Sequence, residues 1–192
     1  AELSNENLQA LKDGSINLIT HIENMKKFGV PVVVAINKFH TDTTAEIEYI
    51  QQLCDSLNVK VSLAEVFAKG GEGGLDLANK VLETIENEPS NFAPIYDVNL
   101  SIKDKLNTIA KEIYRADGVT FTKQAEKSIA EIEKIGFDNI PVCMAKTQYS
   151  LSDDPTKLGR PQNFTITVRD VKLSAGAGFV VALTGDVMTM PG

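Results

Sequence analysis

The stretch Pro31-Val-Val-Val-Ala-Ile36, followed by Asn37-Lys38-Phe39-His40-Thr41-Asp42, decides the class of this protein. A short, continuously apolar and β-branched run suits a strand buried on both faces, as in a parallel sheet. Upstream, from Ser4 to Phe28, the residues Leu8, Leu11, Leu18, Ile22 and Met25 recur at helical spacing. Lys26 and Lys27 make a basic last turn, and Gly29 then stops the helix. Downstream, Thr43 to Asn58 is predicted as a helix opened by a capping box between Thr43 and Glu46. Val59 to Val66 returns as a strand. Lys69-Gly-Gly-Glu-Gly-Gly74 then leads into a helix whose apolar stripe is Leu75, Ala78, Leu82 and Ile85. Strand, helix, strand, helix is a βαβ unit.

Glu88-Pro89-Ser90-Asn91 breaks this pattern and divides the chain into two segments, residues 1–89 and residues 90–192. In the second segment, helices are predicted from Ser101 to Arg115 and from Thr122 to Ile135, with Gly136 as a left-handed cap. Ile140 to Ala145 is read as a buried strand, and Lys146 to Gln162 as a long polar loop. Phe164 to Leu173 alternates as one half-exposed strand, and Gly178 to Gly185 is apolar enough for a buried one. The fold class is α/β: a parallel βαβ sheet segment with helices on its faces, then a smaller α+β region.

Composition narrows the function. The 192 residues, 43% hydrophobic and 23% charged, suffice for one ordinary domain or two small ones. A net charge of -7 argues against a nucleic-acid partner, which needs a basic face. No apolar run approaches the roughly 18 residues of a membrane span. Cys54 and Cys143 both sit among apolar neighbours and are expected to be small buried hydrophobes, which fits a reducing cytoplasm. His21 and His40 are too isolated to suggest a metal site, and none is expected. The start at Ala1, without a secretory signal, and the end right after an apolar strand lead us to expect a piece of a longer polypeptide.

Ligands of open parallel sheets bind outside the carboxyl ends of the strands. Two such ends are readable, at Asn37 to Asp42 and at Phe67 to Gly74. If the strands are neighbours, Lys38, Phe39, Phe67 and Lys69 come within reach of one ligand. Two facing rings suit a flat heterocycle; the structural alternative is that each packs over the sheet end. Gly70, Gly71, Gly73 and Gly74 can present backbone N–H groups before a helix, with Lys69 adding positive charge for an anion. The alternative is a turn that only needs positive φ. The Gly-Lys-Ser/Thr ending of a Walker A loop is missing. Asn37-Lys38 also matches guanine-nucleotide-binding proteins in some respects, but His40 stands where those carry an aspartate. His40 is expected as a solvated loop histidine, and Glu72 is a weak candidate base. The loop Lys146 to Arg160 is either a substrate-side lid or a surface excursion held by Asp153 and Arg160.

Five strings occur in order: Val-Val-Val-Ala-Ile-Asn37-Lys-Phe39, Ala68-Lys-Gly-Gly-Glu-Gly-Gly74, Ala145-Lys-Thr-Gln-Tyr-Ser-Leu-Ser-Asp-Asp154, Lys157-Leu-Gly-Arg-Pro161 and Ser174-Ala-Gly-Ala-Gly-Phe-Val-Val-Ala-Leu-Thr-Gly185. Together they closely resemble the C-terminal region of the formate–tetrahydrofolate ligases, also called formyltetrahydrofolate synthetases. The resemblance implies a cytoplasmic enzyme, a homo-oligomer at full length. It would use ATP to join formate to tetrahydrofolate by way of formyl phosphate, giving 10-formyltetrahydrofolate, ADP and phosphate. It also implies that Phe39 and Phe67 hold the pterin ring, the second position being often tryptophan in the family. The glycine loop of Lys69, Gly70, Gly71, Gly73 and Gly74, with Lys38 from the first strand end, then borders the nucleotide side of the folate and nucleotide cleft. The phosphate loop of the family lies in an N-terminal region that is absent here, so no catalytic residue is named and the chain alone is expected to be inactive. A nucleotide-binding switch domain and a non-catalytic assembly module are the alternatives.

Overall fold

The structure is a computed structural model that describes residues 5–185. It is α/β. The chain divides into two compact units, Ala1–Ala93 and Pro94–Gly192.

In the first unit, helix α1 (Leu8–Lys26) is capped by Asn7, whose side chain accepts from the Ala10 N–H. The Ser4 at which the sequence starts this helix lies outside the described residues. Strand β1 (Val33–Asn37) and strand β2 (Lys60–Ala64) pair in parallel, with Val33 opposite Lys60 and Asn37 opposite Ala64. Helix α2 (Thr44–Ser56) joins them, opened by the capping box between Thr43 and Glu46. The Glu46 carboxylate also accepts from the Asn7 N–H at 3.0 Å, which ties the start of α1 to the start of α2. Its pKa is held below the usual carboxylate range, first by that Asn7 N–H and then by the Thr43 N–H.

Three expectations need correction here. The run 31–36 is not buried on both faces: the strand is half-buried, and Ala35 and Asn37 are exposed. The reason is that β1 has β2 as its one strand partner among the described residues. The glycine-rich stretch is not an open loop either. A short helix α3 (Val66–Lys69) continues into a 3-10 turn (Gly70–Gly74) and directly into helix α4 (Leu75–Asn87), so the second strand ends at Ala64 and Val66 is already helical.

The third correction concerns α4, which turns its polar face to the sheet. Asp76 accepts from the Ser62 hydroxyl at 2.6 Å and from the Lys80 ammonium at 2.9 Å. Lys80 also donates to the Val61 carbonyl, and Lys60 donates to the Thr84 hydroxyl. Thr84 is the buried residue of this helix, while Leu75, Ala78, Leu82 and Ile85 are not buried, and Leu75, Leu82 and Ile85 are exposed large apolar side chains. Polar bonding to β2 set the rotation of the helix, and the apolar stripe was left outward.

The second unit opens with helix α5 (Ile102–Glu112), capped by Ser101, then strand β3 (Gly118–Phe121) and helix α6 (Lys123–Lys134), capped by Thr122. Gly136 adopts φ +79°, the left-handed stop expected of it. Strands β4 (Val142–Ala145), β5 (Thr165–Val168), β6 (Asp170–Ser174) and β7 (Phe179–Leu183) complete it. Two sheets form: β3 parallel to β5, and the order β4-β7-β6, with β4 parallel and β6 antiparallel to β7. Ile102, Leu106, Ile129, Ile132, Val142, Val168, Val180 and Ala182 build the core.

The stretch 164–173 is therefore two strands in two sheets, not one. Phe164, Ile166 and Val168 are buried, and the parity then slips so that Val171 is buried next. Arg169 is the pivot, its N–H donating to the Leu183 carbonyl. The run 178–185 alternates as well, with Val180, Ala182 and Thr184 buried and Phe179 exposed. Cys54 is buried as expected, but Cys143 is exposed, because it occupies the outward position between Val142 and Met144 on a short strand. The polar loop after β4 folds on itself: Ser150, Leu151 and Ser152 are buried, and Asp153 accepts from the Thr167 N–H at 2.9 Å.

Candidate functional site

Parallel pairing brings the carboxyl ends of β1 and β2 side by side, and the Lys38 N–H extends the ladder by donating to the Ala64 carbonyl at 3.0 Å. Immediately beyond lies an open cleft of about 320 Å³, lined by Asn37, Lys38, Phe39, His40 and Phe67. Its size falls at the lower end of small-molecule sites. Phe39 is 62% exposed and Phe67 fully exposed. Large aromatic side chains left in water at a sheet end carry a hydrophobic cost that a stacked ligand removes.

The Phe39 end is fixed by a local turn. The Phe39 N–H donates to the Asp42 carboxylate at 2.8 Å, and the Asp42 N–H returns to the Phe39 carbonyl. Asp42 is thus committed to the backbone of its own loop. His40 is exposed, as expected, and adds an imidazole to the rim.

The Phe67 end rests on glycine geometry. Gly70 takes φ +60°, which a side chain rarely tolerates. A Cβ on Gly73 would stand 2.4 Å from the Glu65 carbonyl oxygen, because the Glu65 N–H donates to the Gly73 carbonyl at 3.0 Å. Both glycines therefore have a structural reason to be there. Among the described residues the lining of the cleft includes Lys38 but not Lys69, Gly70, Gly71, Gly73 or Gly74. Glu72 is exposed on the same turn.

Glu65 was not legible as a site residue. Its carboxylate receives the Lys38 ammonium on Oε1 at 3.0 Å and the Lys69 ammonium on Oε2. Lys69 first, and then Lys38, hold the Glu65 carboxyl below its usual range. The two cations expected to serve an anion thus share one internal counter-ion. The four-residue spacing from Glu65 to Lys69 is a signal that could have found half of this bridge; the Lys38 half, 27 residues away, needed the fold.

Elsewhere the described residues hold no group of three His, Cys, Asp or Glu side chains placed for a metal ion, and no helix long and apolar enough to cross a membrane.

The profile of the formate–tetrahydrofolate ligase family matches residues 1–192, the full length of this chain. The chain belongs to the formate–tetrahydrofolate ligase family. Members of this family are ligases of one-carbon metabolism, with ATP, formate and tetrahydrofolate as substrates.

Proposed function

We propose that this chain supplies the folate side of an ATP-dependent ligase that joins formate to tetrahydrofolate through formyl phosphate. In this reading the pteridine stacks between Phe39 and Phe67, with Asn37 and Lys38 at its polar edge. The turn of Lys69, Gly70, Gly71, Gly73 and Gly74 then borders the nucleotide side. The observation that carries the reading is that both aromatic rings line the same open cleft at the carboxyl ends of β1 and β2. The lining offers apolar faces and a cation but no group set to activate phosphate. It binds and orients, and orienting two reactants is worth roughly 7–11 kcal/mol of a barrier.

The test is calorimetric titration of the 192-residue chain with tetrahydrofolate. Weak binding is expected, reduced by about tenfold or more in Phe39→Ala and in Phe67→Ala, since each loses a stacking face. Absence of binding in the unsubstituted chain overturns the folate reading. The same chain given ATP, formate and tetrahydrofolate is expected to make no 10-formyltetrahydrofolate; product formation overturns the inactivity.

The outward stripe of Leu75, Leu82 and Ile85 on α4 favours a second, compatible reading, assembly between copies of the chain. Sedimentation of the unsubstituted chain against Leu82→Lys tests it, and a monomer in both cases removes it. Two free thiols accord with a cytoplasmic setting.

A further inference from the structure

The Phe39 loop and α3 each carry one wall of the cleft, and the β1–β2 ladder that aligns them ends at Asn37 and Ala64. Past that point the Lys38 to Glu65 ion pair continues the link, from the residue before Phe39 to the residue before α3. Glu65 then holds Lys69, one turn later, so Phe67 lies on the turn clamped between them. Helix α3 has only four residues, and a helix that short depends on outside contacts to persist. Glu65 supplies several at once: its N–H bonds the Gly73 carbonyl, and its own carbonyl accepts from the Ala68 and Lys69 N–H groups at 3.1 and 2.9 Å.

We propose that Glu65 is a positioning residue, a two-armed strut that sets the gap between Phe39 and Phe67 and so the affinity for the flat ring bound there. The assignment of that ring as a pteridine rests on the proposed function; the strut itself does not. The two arms are unequal. Lys69 makes the closer contact, but its side chain is 57% exposed, so solvent screens that arm. The Lys38 arm is the better shielded, with side chains 33% and 21% exposed. Lys38→Met is therefore the more damaging loss, and Lys69→Met the milder.

The chain has no tryptophan, so Phe67→Trp installs a single indole on this wall. In that background, without ligand, Glu65→Gln and Lys38→Met are expected to lower the indole's fluorescence anisotropy, with Lys69→Met intermediate. Circular dichroism of each variant monitors folding, and Lys38→Met serves as the second probe should Glu65→Gln fail to fold. In the chain without the indole, Glu65→Gln is expected to weaken tetrahydrofolate by about tenfold, as displacement of a positioning contact does. The Glu65→Gln and Lys38→Met losses are expected to be non-additive when combined. Unchanged anisotropy in folded Glu65→Gln and Lys38→Met overturns the strut. Lowered anisotropy in a chain that does not bind tetrahydrofolate supports the strut and rejects the pteridine instead.

Discussion

At Gly29 the backbone leaves no room for a side chain. The residue adopts φ +71°, and a Cβ would stand 2.2 Å from the Asn91 carbonyl oxygen. The close approach exists because the Asn91 N–H donates to the Gly29 carbonyl and the Ala93 N–H to that of Phe28, while the Phe28 and Phe92 rings lie stacked, centroids 6.4 Å apart. Gly29→Ala is expected to destabilise the first unit by more than about 1 kcal/mol, read as a lower urea midpoint, because strain and clash act together. Lys105 is the corresponding point in the second unit. It is completely buried, with its ammonium donating to the Asp138 and Ile140 carbonyls, and burial pulls its pKa down. Lys105→Met keeps the stem but removes the ammonium from the Asp138 and Ile140 carbonyls, so a loss of about 1–3 kcal/mol is expected in the same measurement. The stop at Gly29 was legible from the two lysines and the glycine before any fold was known. The role of Lys105 was not, since its partners lie 33 and 35 residues away.

Among the elements, α4 and α6 show the same sequence pattern put to opposite uses. Both present an apolar stripe at helical spacing, yet Ile129 of α6 is buried while Leu82 and Ile85 of α4 are 57% and 70% exposed. Ile129→Ala is expected to cost about 2–5 kcal/mol by leaving a cavity. Leu82→Ala and Ile85→Ala are expected to stay within about 0.5 kcal/mol in thermal unfolding of the monomer. A large loss at Ile85 would show that the stripe is buried after all. Periodicity told which residues share a face, but not which face meets the sheet. That was settled by the bonds that join α4 to β2, from Lys60 to Thr84, from Ser62 to Asp76 and from Lys80 to the Val61 carbonyl. Likewise the slip of parity between Val168 and Val171 was present in the sequence, but its meaning, a change of sheet, came from what each half pairs with.

For the whole molecule, charge is the quantity that matters. Besides Glu46 and Glu65, the carboxyls of Asp76, Asp154 and Asp170 are held below their usual range, chiefly by hydrogen bonds to Ser62, Thr156 and Ser128 respectively. A carboxyl whose pKa is lower folded than unfolded adds stability above its unfolded value and loses it as pH falls through the folded one. Both units are therefore expected to keep full stability near neutral pH and to lose it progressively below about pH 4, in urea titrations at stepped pH. A midpoint that does not fall on acidification would contradict these contacts.

What the sequence determined by itself was local or cumulative: the caps at Thr43 and Gly136, the strand and helix order of the first unit, the α/β class, and the family, through strings spread along the whole chain. These depend on neighbours in sequence or on sums over many residues. The tertiary structure alone decided which face of α4 is wet, that Phe39 and Phe67 line one cleft, and that Glu65 gathers Lys38 and Lys69. Each of those depends on a distance between residues far apart along the chain, and a one-dimensional pattern does not contain such distances until strands pair.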